Sequence, residues 1–289
     1  MAGLTAESIA AMTIAEVLRR SADHLAERGC ETPRLDAELL LAHALGLSRV
    51  ELYTAFERPL MDSELDAARA LVRRRAGREP VQHILGEWGF RRLLLRVDRR
   101  ALIPRPETEV VVERCLALLA GLERPRVLDV GTGGGAIALA IADEHPGARV
   151  TGIDVSSDAL ALARENAERT GLTVELAEHD LFTGLPSGPW DLVVSNPPYV
   201  TPADAEALAP EVREWDPHVA LFSDGALAAV SRGAISVLAH GGALVLEVGA
   251  GQAGSVADEL YRLGFLDVAV TRDLAGRERV VEGRRCGSR

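Results

Sequence analysis

From Arg126 onward the chain alternates short apolar runs with helical ones, and that alternation leaves few folds open. Strands interleaved with helices return to a single parallel sheet covered by helices on both faces. The first strand is expected over Val127–Val130, followed by the turn Gly131-Thr132-Gly133-Gly134-Gly135 and a helix over Ala136–Asp143. A second strand runs from Arg149 to Ile153 and ends in Asp154. Ser156 or Ser157 then caps a helix that reaches Arg169 and closes at Gly171. The third strand, Val174–Ala177, ends near Asp180, and the fourth is Asp191–Ser195. A helix to about Ala239 leads through Gly241-Gly242 into a strand at Ala243–Val248. Another helix near Val256–Leu263 precedes Phe265–Val270 and Arg279–Val281, which read as an antiparallel edge pair.

The fourth strand stops at Asn196-Pro197-Pro198-Tyr199. Proline has no N–H and cannot continue a ladder, and it pushes the residue before it towards extended geometry. A stiff corner results at a strand's C-terminal end, where open α/β sheets keep their ligands. The Asn196 side-chain carbonyl and the Pro197 backbone carbonyl can each accept a hydrogen bond, and Tyr199 offers a flat face. Together they suit a planar NH2 group, whose nitrogen is a poor nucleophile because its lone pair is delocalised. Two acceptors gripping its hydrogens would favour the pyramidal geometry reached on attack. Alone, such a tetrapeptide is more often a proline-rich turn with a core tyrosine. Following an apolar strand and a glycine turn, it reads as a site.

The glycine turn lets a backbone approach a ligand and leaves helix N–H groups free for an anionic group. Asp154, at the end of the next strand, stands where an acid takes ribose hydroxyls. A nicotinamide cofactor fits those two features equally well. The turn lacks G-x-G-x-x-G spacing, however, because position 136 is alanine. Asp180 adds a polar group suited to an adenine amine, and the proline corner offers acceptors rather than a hydride partner. These three points favour S-adenosylmethionine.

Ahead of the sheet lies a small helical segment. Thr13-Ile-Ala-Glu16 and Ser48-Arg-Val-Glu51 have capping-box spacing, Thr32-Pro33 reads as a helix start, and Asp62 or Ser63 opens a further helix. Pro80–Leu85 reads as a short turn. His24, His43 and His83 are too scattered for ligands, and Arg73-Arg74-Arg75 reads as a solvated helix end. Between 87 and 103, Trp88, Phe90, Leu93, Leu95 and Val97 alternate with charged residues as in a β-hairpin, blurred by Leu94. Leu102-Ile-Pro-Arg-Pro-Glu-Thr-Glu109 follows, stiffened by Pro104 and Pro106; Pro106 is placed to start a helix to about Ala120, and Arg105 is either an ion-pair partner or a residue at the site mouth. Residues 200–222 form a long acidic loop of the kind that serves as a lid.

Charge and cysteine content narrow the function classes. A net charge of −11 over 289 residues argues against a broad grip on nucleic-acid phosphates. Cys30, Cys115 and Cys286 form no C-x-x-C pair, so neither a disulfide framework nor a zinc site is suggested, and no metal is expected. No signal peptide or membrane-length apolar run is evident, so a cytoplasmic protein is expected.

The segments Val127-Leu-Asp-Val-Gly-Thr-Gly-Gly-Gly-Ala-Ile-Ala138, Asn196-Pro-Pro-Tyr199 and Leu102-Ile-Pro-Arg-Pro-Glu-Thr-Glu109 together resemble the peptide chain release factor N5-glutamine methyltransferases. Leu35-Asp-Ala-Glu38, Gly241-Gly-x-Leu-x-Leu-Glu-Val-Gly249 and Asp273-Leu-Ala-Gly-Arg-Glu-Arg279 support the match, which runs from about Leu35 to about Gly283. The resemblance implies a release-factor-docking helical domain over residues 1–86, a hairpin linker over 87–105 and a Rossmann-like, seven-stranded methyltransferase domain over 106–289. It implies methylation of the glutamine amide nitrogen in a release factor's Gly-Gly-Gln loop, with S-adenosyl-L-homocysteine as the spent cofactor. Gly131, Thr132, Gly133, Gly134, Gly135, Asp154 and Asp180 would bind the cofactor, with Leu181 against the adenine where relatives often carry an aromatic. Asn196 would touch cofactor and substrate, and Pro197, Pro198 and Tyr199 would hold the glutamine. The segment Ala220–Gly225 is shorter than the family's glycine-rich equivalent, so a different lid is expected. An adenine-amino methyltransferase acting on DNA or RNA shares the acceptor logic and is the main rival. A nicotinamide oxidoreductase and a non-catalytic cofactor-binding module are the others.

Overall fold

A computed structural model describes residues 12–200 and 205–287, which divide into two compact units at the boundary between Leu85 and Gly86. The first is helical: α1 (Ile14–Glu27), α2 (Pro33–Leu45), α3 (Arg49–Thr54), α4 (Asp62–Ala76) and α5 (Val81–Leu85). Both expected capping boxes form, with Thr13 and Ser48 accepting from the N–H three residues on. Ile14, Leu18 and Leu25 of α1 and Leu40 and Leu41 of α2 fill the centre of this unit. The turn expected at Pro80–Leu85 is the helix α5.

The three arginines at the end of α4 are not a uniformly solvated run. Arg75 is buried and its Nε donates to Asp36 Oδ2 at 2.7 Å, while Arg74 forks onto Glu79. Charge spacing in sequence does not show that a helix end turns inward. Glu38 is likewise buried and accepts from Arg34, Arg49 and Tyr53. Asp36 and Glu38 of the Leu35–Glu38 segment are therefore internal anchors. His24, His43 and His83 sit on three different helices and form no cluster.

The second unit opens with the hairpin β1 (Glu87–Phe90) and β2 (Leu93–Arg96). Phe90 and Leu95 are buried, whereas Leu94, the residue that blurs the alternation, points outward. There follow α6 (Thr108–Leu119), β3 (Arg126–Val130), α7 (Ala136–Glu144), β4 (Arg149–Asp154), α8 (Ser157–Thr170), β5 (Glu175–Glu178) and β6 (Trp190–Ser195). Two single-turn helices, α9 (Pro210–Arg213) and α10 (His218–Leu221), break up the acidic loop. The chain ends with α11 (Ala226–Val237), β7 (Leu238–Glu247), α12 (Ala253–Arg262), β8 (Phe265–Arg272) and β9 (Glu278–Arg285).

Seven strands form one sheet in the order β5-β4-β3-β6-β7-β9-β8, parallel except for the pairs made by β9. Residues alternate between two cores because strand side chains point to opposite faces. Val127, Leu192, Val194, Ala243 and Val245 meet α6, α7 and the hairpin on one face. Leu128, Val193, Leu244 and Leu246 meet α11 and α12 on the other.

Several boundaries differ from expectation, and three of them have a clear local reason. Helix α6 begins at Thr108 rather than Pro106, because tight turns back to Arg105 and Pro106 precede it. Strand β7 begins at Leu238, five residues early; a register shift between Trp190 and Leu192 lets the chain pair before the glycines and again after them. Strand β9 runs to Arg285, since Glu282 is buried on a bidentate bond to Arg114 and broke the apolar pattern.

Candidate active site

The sheet order reverses at β3: β4 and β5 extend to one side, β6 and β7 to the other. Ligands bind beyond the strand ends at such a switch point. Val130 pairs with Ser195, so the first residues past each strand, Gly131 and Asn196, leave the sheet side by side. The Ser195 hydroxyl donates to the Val130 carbonyl at 2.7 Å and pins the two exits together.

A cavity opens above this point, lined by Gly131, Thr132, Gly133 and Gly134, by Asp154, by Asp180 to Phe182, and by Asn196 and Pro198. Gly131 and Gly133 hold left-handed conformations (φ 72° and 56°). A Cβ at Gly131 would meet no atom within 4 Å, so the turn's open side faces free space. Gly135 caps α7 from behind, where a Cβ would press on Leu139 and Ala163. Beneath the turn, buried Asp129 accepts from the Thr132 hydroxyl at 2.7 Å and the Ala138 N–H at 3.2 Å. Burial pushes its carboxyl up to about 7. Asn166 donates to the Gly134 carbonyl and to Arg96, tying turn to hairpin.

Asp154 accepts from Gly133 N–H through one oxygen and from Ser156 N–H through the other, both at 2.9 Å. It shapes the turn and still presents carboxylate lone pairs to the cavity. Asp180 uses Oδ1 to cap the short turn Leu181–Thr183. Leu181 packs towards the core, and the aromatic ring at this edge of the cavity is its neighbour Phe182, exposed and lining the space. The family resemblance points one position earlier, to Leu181, so Phe182 stands out only in the structure. Turn, acid and apolar wall suit an adenosyl group with a charged tail, so the residues present fit S-adenosylmethionine.

At the proline corner, Asn196 Nδ2 donates to Thr108 Oγ1 at 3.2 Å, and Thr108 Oγ1 donates to Glu247 Oε2 at 2.7 Å. Pro197 is buried. Tyr199 turns away from the first cavity; its hydroxyl donates to Glu247 Oε1 at 3.3 Å. Burial and the adjacent Glu247 raise the phenol above its ordinary range. Tyr199 lines a second cavity with Val200, Ala226, Gln252 and Ser255; this cavity and the first share Pro198, Phe222 and Ser223. Pro198 therefore stands where the two spaces meet, and Asn196 lines the first of them. Thr108 and Glu247 lay within quoted motifs, but their convergence needed three elements, α6, β6 and β7, to be brought together.

The acidic loop closes one side. Arg105 donates to buried Asp216 at 2.6 Å, and the Arg99 guanidinium stacks 3.9 Å over the Trp215 ring. Arg105 also lines the first cavity, so both of its expected roles are met by one side chain. Residues 201–204 of that loop lie outside the described residues.

This sheet, its glycine turn and the adjoining acceptor corner define a Rossmann-like, S-adenosylmethionine-dependent methyltransferase. A family model for the PrmC N-terminal domain matches residues 16–86, and one for the methyltransferase small domain matches residues 112–246. The release factor glutamine methyltransferase of Geobacter sulfurreducens is 48% identical over 276 residues, covering 94% of this chain and 96% of the relative. That of Deinococcus radiodurans is 44% identical over 282 residues, covering 96% and 100%. Among solved structures, the hMettl16 catalytic domain superposes with a TM-score of 0.54 at 17% identity, over 65% of this chain and 74% of that one, a likeness of fold alone. The chain belongs to the release factor glutamine methyltransferases. No helix among the described residues is long and apolar enough to cross a membrane.

Proposed function

We propose that this protein methylates the side-chain amide nitrogen of the glutamine in the Gly-Gly-Gln loop of peptide chain release factors. The observation that carries the reading is the position of Asn196 on the wall of the first cavity, two residues before Pro198, which lines both cavities; its Nδ2 is engaged by Thr108 and its Oδ1 is left to accept. When bound, S-adenosylmethionine supplies an electrophilic methyl group on a sulfonium. The first cavity holds it: Gly131 to Gly135 cradle the charged tail, Asp154 takes the ribose hydroxyls, and Asp180, Leu181 and Phe182 border the adenine. The glutamine enters through the second cavity, past Pro198 and Tyr199. Asn196 Oδ1 and the Pro197 carbonyl accept the two amide hydrogens and turn the nitrogen lone pair towards the first cavity. Most of the acceleration then comes from position and preorganised acceptors.

Glu247 does not serve as a general base in this scheme. Both its oxygens already accept bonds from Thr108 and Tyr199, and it is buried behind the corner. None is required, since the amide nitrogen becomes acidic as positive charge develops on it. The release factor docks on the helical unit, and the active protein works in the cytoplasm, where that partner is found.

The direct test mixes the purified protein, S-adenosylmethionine labelled in its methyl group, and a release factor. Label should enter the factor and be abolished by Gln→Ala in its Gly-Gly-Gln loop. Label retained in that variant, or found instead in added DNA or RNA, would replace this reading with the adenine-amino alternative.

A further inference from the structure

Glu247, at the end of β7, lines neither cavity, whereas Thr108, at the start of α6, borders the first cavity beside Asn196. We propose that Glu247 and Thr108 are positioning residues: a one-way hydrogen-bond chain from the buried carboxylate sets which end of the Asn196 amide meets the substrate. The inference rests on the acceptor role given to Asn196 above.

The argument is a count of hydrogens. A carboxylate only accepts, so the 2.7 Å contact between Thr108 Oγ1 and Glu247 Oε2 must use the hydroxyl's single hydrogen. Oγ1 is then left with lone pairs alone. Its 3.2 Å neighbour on Asn196 has to be a donor, which makes it Nδ2. The Oδ1 end is consequently the one turned out. Without this chain, an asparagine amide is nearly symmetric in shape and can rotate to present NH2. Two NH2 groups would then face each other, and the substrate nitrogen would lose its acceptor. The same carboxylate directs the other end of the corner, since Tyr199 donates to Oε1 at 3.3 Å while the Tyr199 carbonyl accepts from Gln252 Nε2 at 3.1 Å.

A glutamine at 247 would not impose direction, because it carries donors as well as an acceptor. Glu247 is 1% exposed and Thr108 4% exposed, so water does not offer competing partners. The titratable and charged groups facing Glu247 are Tyr199, Arg279 and Glu107, and Arg279 is itself held by Asp273 at 3.2 Å. Burial outweighs Arg279 and pushes the Glu247 carboxyl up to about 7. Once protonated on Oε2, it would donate to Thr108, whose hydrogen would then be free to engage Oδ1 of a rotated Asn196.

The test compares Thr108→Val with Thr108→Ser in single-turnover methylation of a release factor, alongside calorimetric binding of S-adenosylhomocysteine and a melting curve. T108V should lose 10- to 100-fold in rate with unchanged cofactor affinity, and T108S should return to within about threefold of the wild type, the scale of a lost preorganised contact. Thr108→Ala serves if valine beside the carboxylate prevents folding, with the same expected loss. Wild-type rates in T108V or T108A, or an equal loss in T108S, would overturn the inference. For Glu247, the wild-type rate should fall on the acid side of about pH 7 and E247Q should lack that limb; a limb retained in E247Q also overturns it. Wild-type protein that methylates nothing in the same assay would instead remove the functional reading on which the chain depends.

Discussion

Replacing Asn196 by alanine separates the acceptor's chemical role from its structural one. Structurally, the change removes one neutral 3.2 Å bond to Thr108, whose own hydrogen remains on Glu247. That costs about 1 kcal/mol of stability, or a fall in melting temperature of roughly 2–4 °C for a chain of this size. Chemically, under the proposed reading, it removes a preorganised acceptor at the reacting nitrogen, a loss of about 2–4 kcal/mol in the barrier. At about 1.4 kcal/mol per decade, kcat should drop roughly 30- to 900-fold. Single-turnover transfer of a labelled methyl group to a release factor measures the rate, and calorimetry with S-adenosylhomocysteine measures whether the first cavity is intact. A rate within threefold of the wild type, with cofactor affinity preserved, would refute the assignment of Asn196 as acceptor.

Asp129 is buried, and its carboxyl is raised to about 7 by desolvation, so its contribution to stability is present below about pH 4 and is lost as pH rises through 7. The full loss amounts to about 4 kcal/mol for a shift of this size, of which about 3 kcal/mol falls between about pH 5 and pH 8.5; chemical denaturation at those two pH values should show that part in the wild type and not in Asp129→Asn, and equal pH slopes in the two proteins would contradict it. Asp154→Ala removes the proposed ribose acceptor and frees the Gly133 and Ser156 N–H groups, so affinity for S-adenosylhomocysteine should fall at least tenfold while the melting temperature moves only a few degrees. Undiminished binding would mean that Asp154 serves only to hold the loop.

Much of the second unit was legible because its strands are buried on both faces. Leu192-Val193-Val194 and Val127-Leu128 read as strands without any knowledge of neighbours, and Gly131 and Asn196 mark where two of them stop. What misled the pattern were polar residues paired at a distance. Glu282 hides half of β9 from the apolar pattern because its partner Arg114 is distant in sequence, and Arg75 reads as solvated because its partner Asp36 is distant too. Phe182 was overlooked because the ring nearest Asp180 depends on the short turn that the aspartate itself caps.

Local chemistry in the chain is enough to determine an alternating α/β unit, a glycine turn and a rigid proline corner rich in acceptors, since periodicity, glycine and proline act over a few residues. Which end of the Asn196 amide faces outward is decided only in three dimensions. It depends on Thr108, Asn196 and Glu247 being brought into hydrogen-bond contact from α6, β6 and β7, and on a carboxylate's inability, when ionised, to donate.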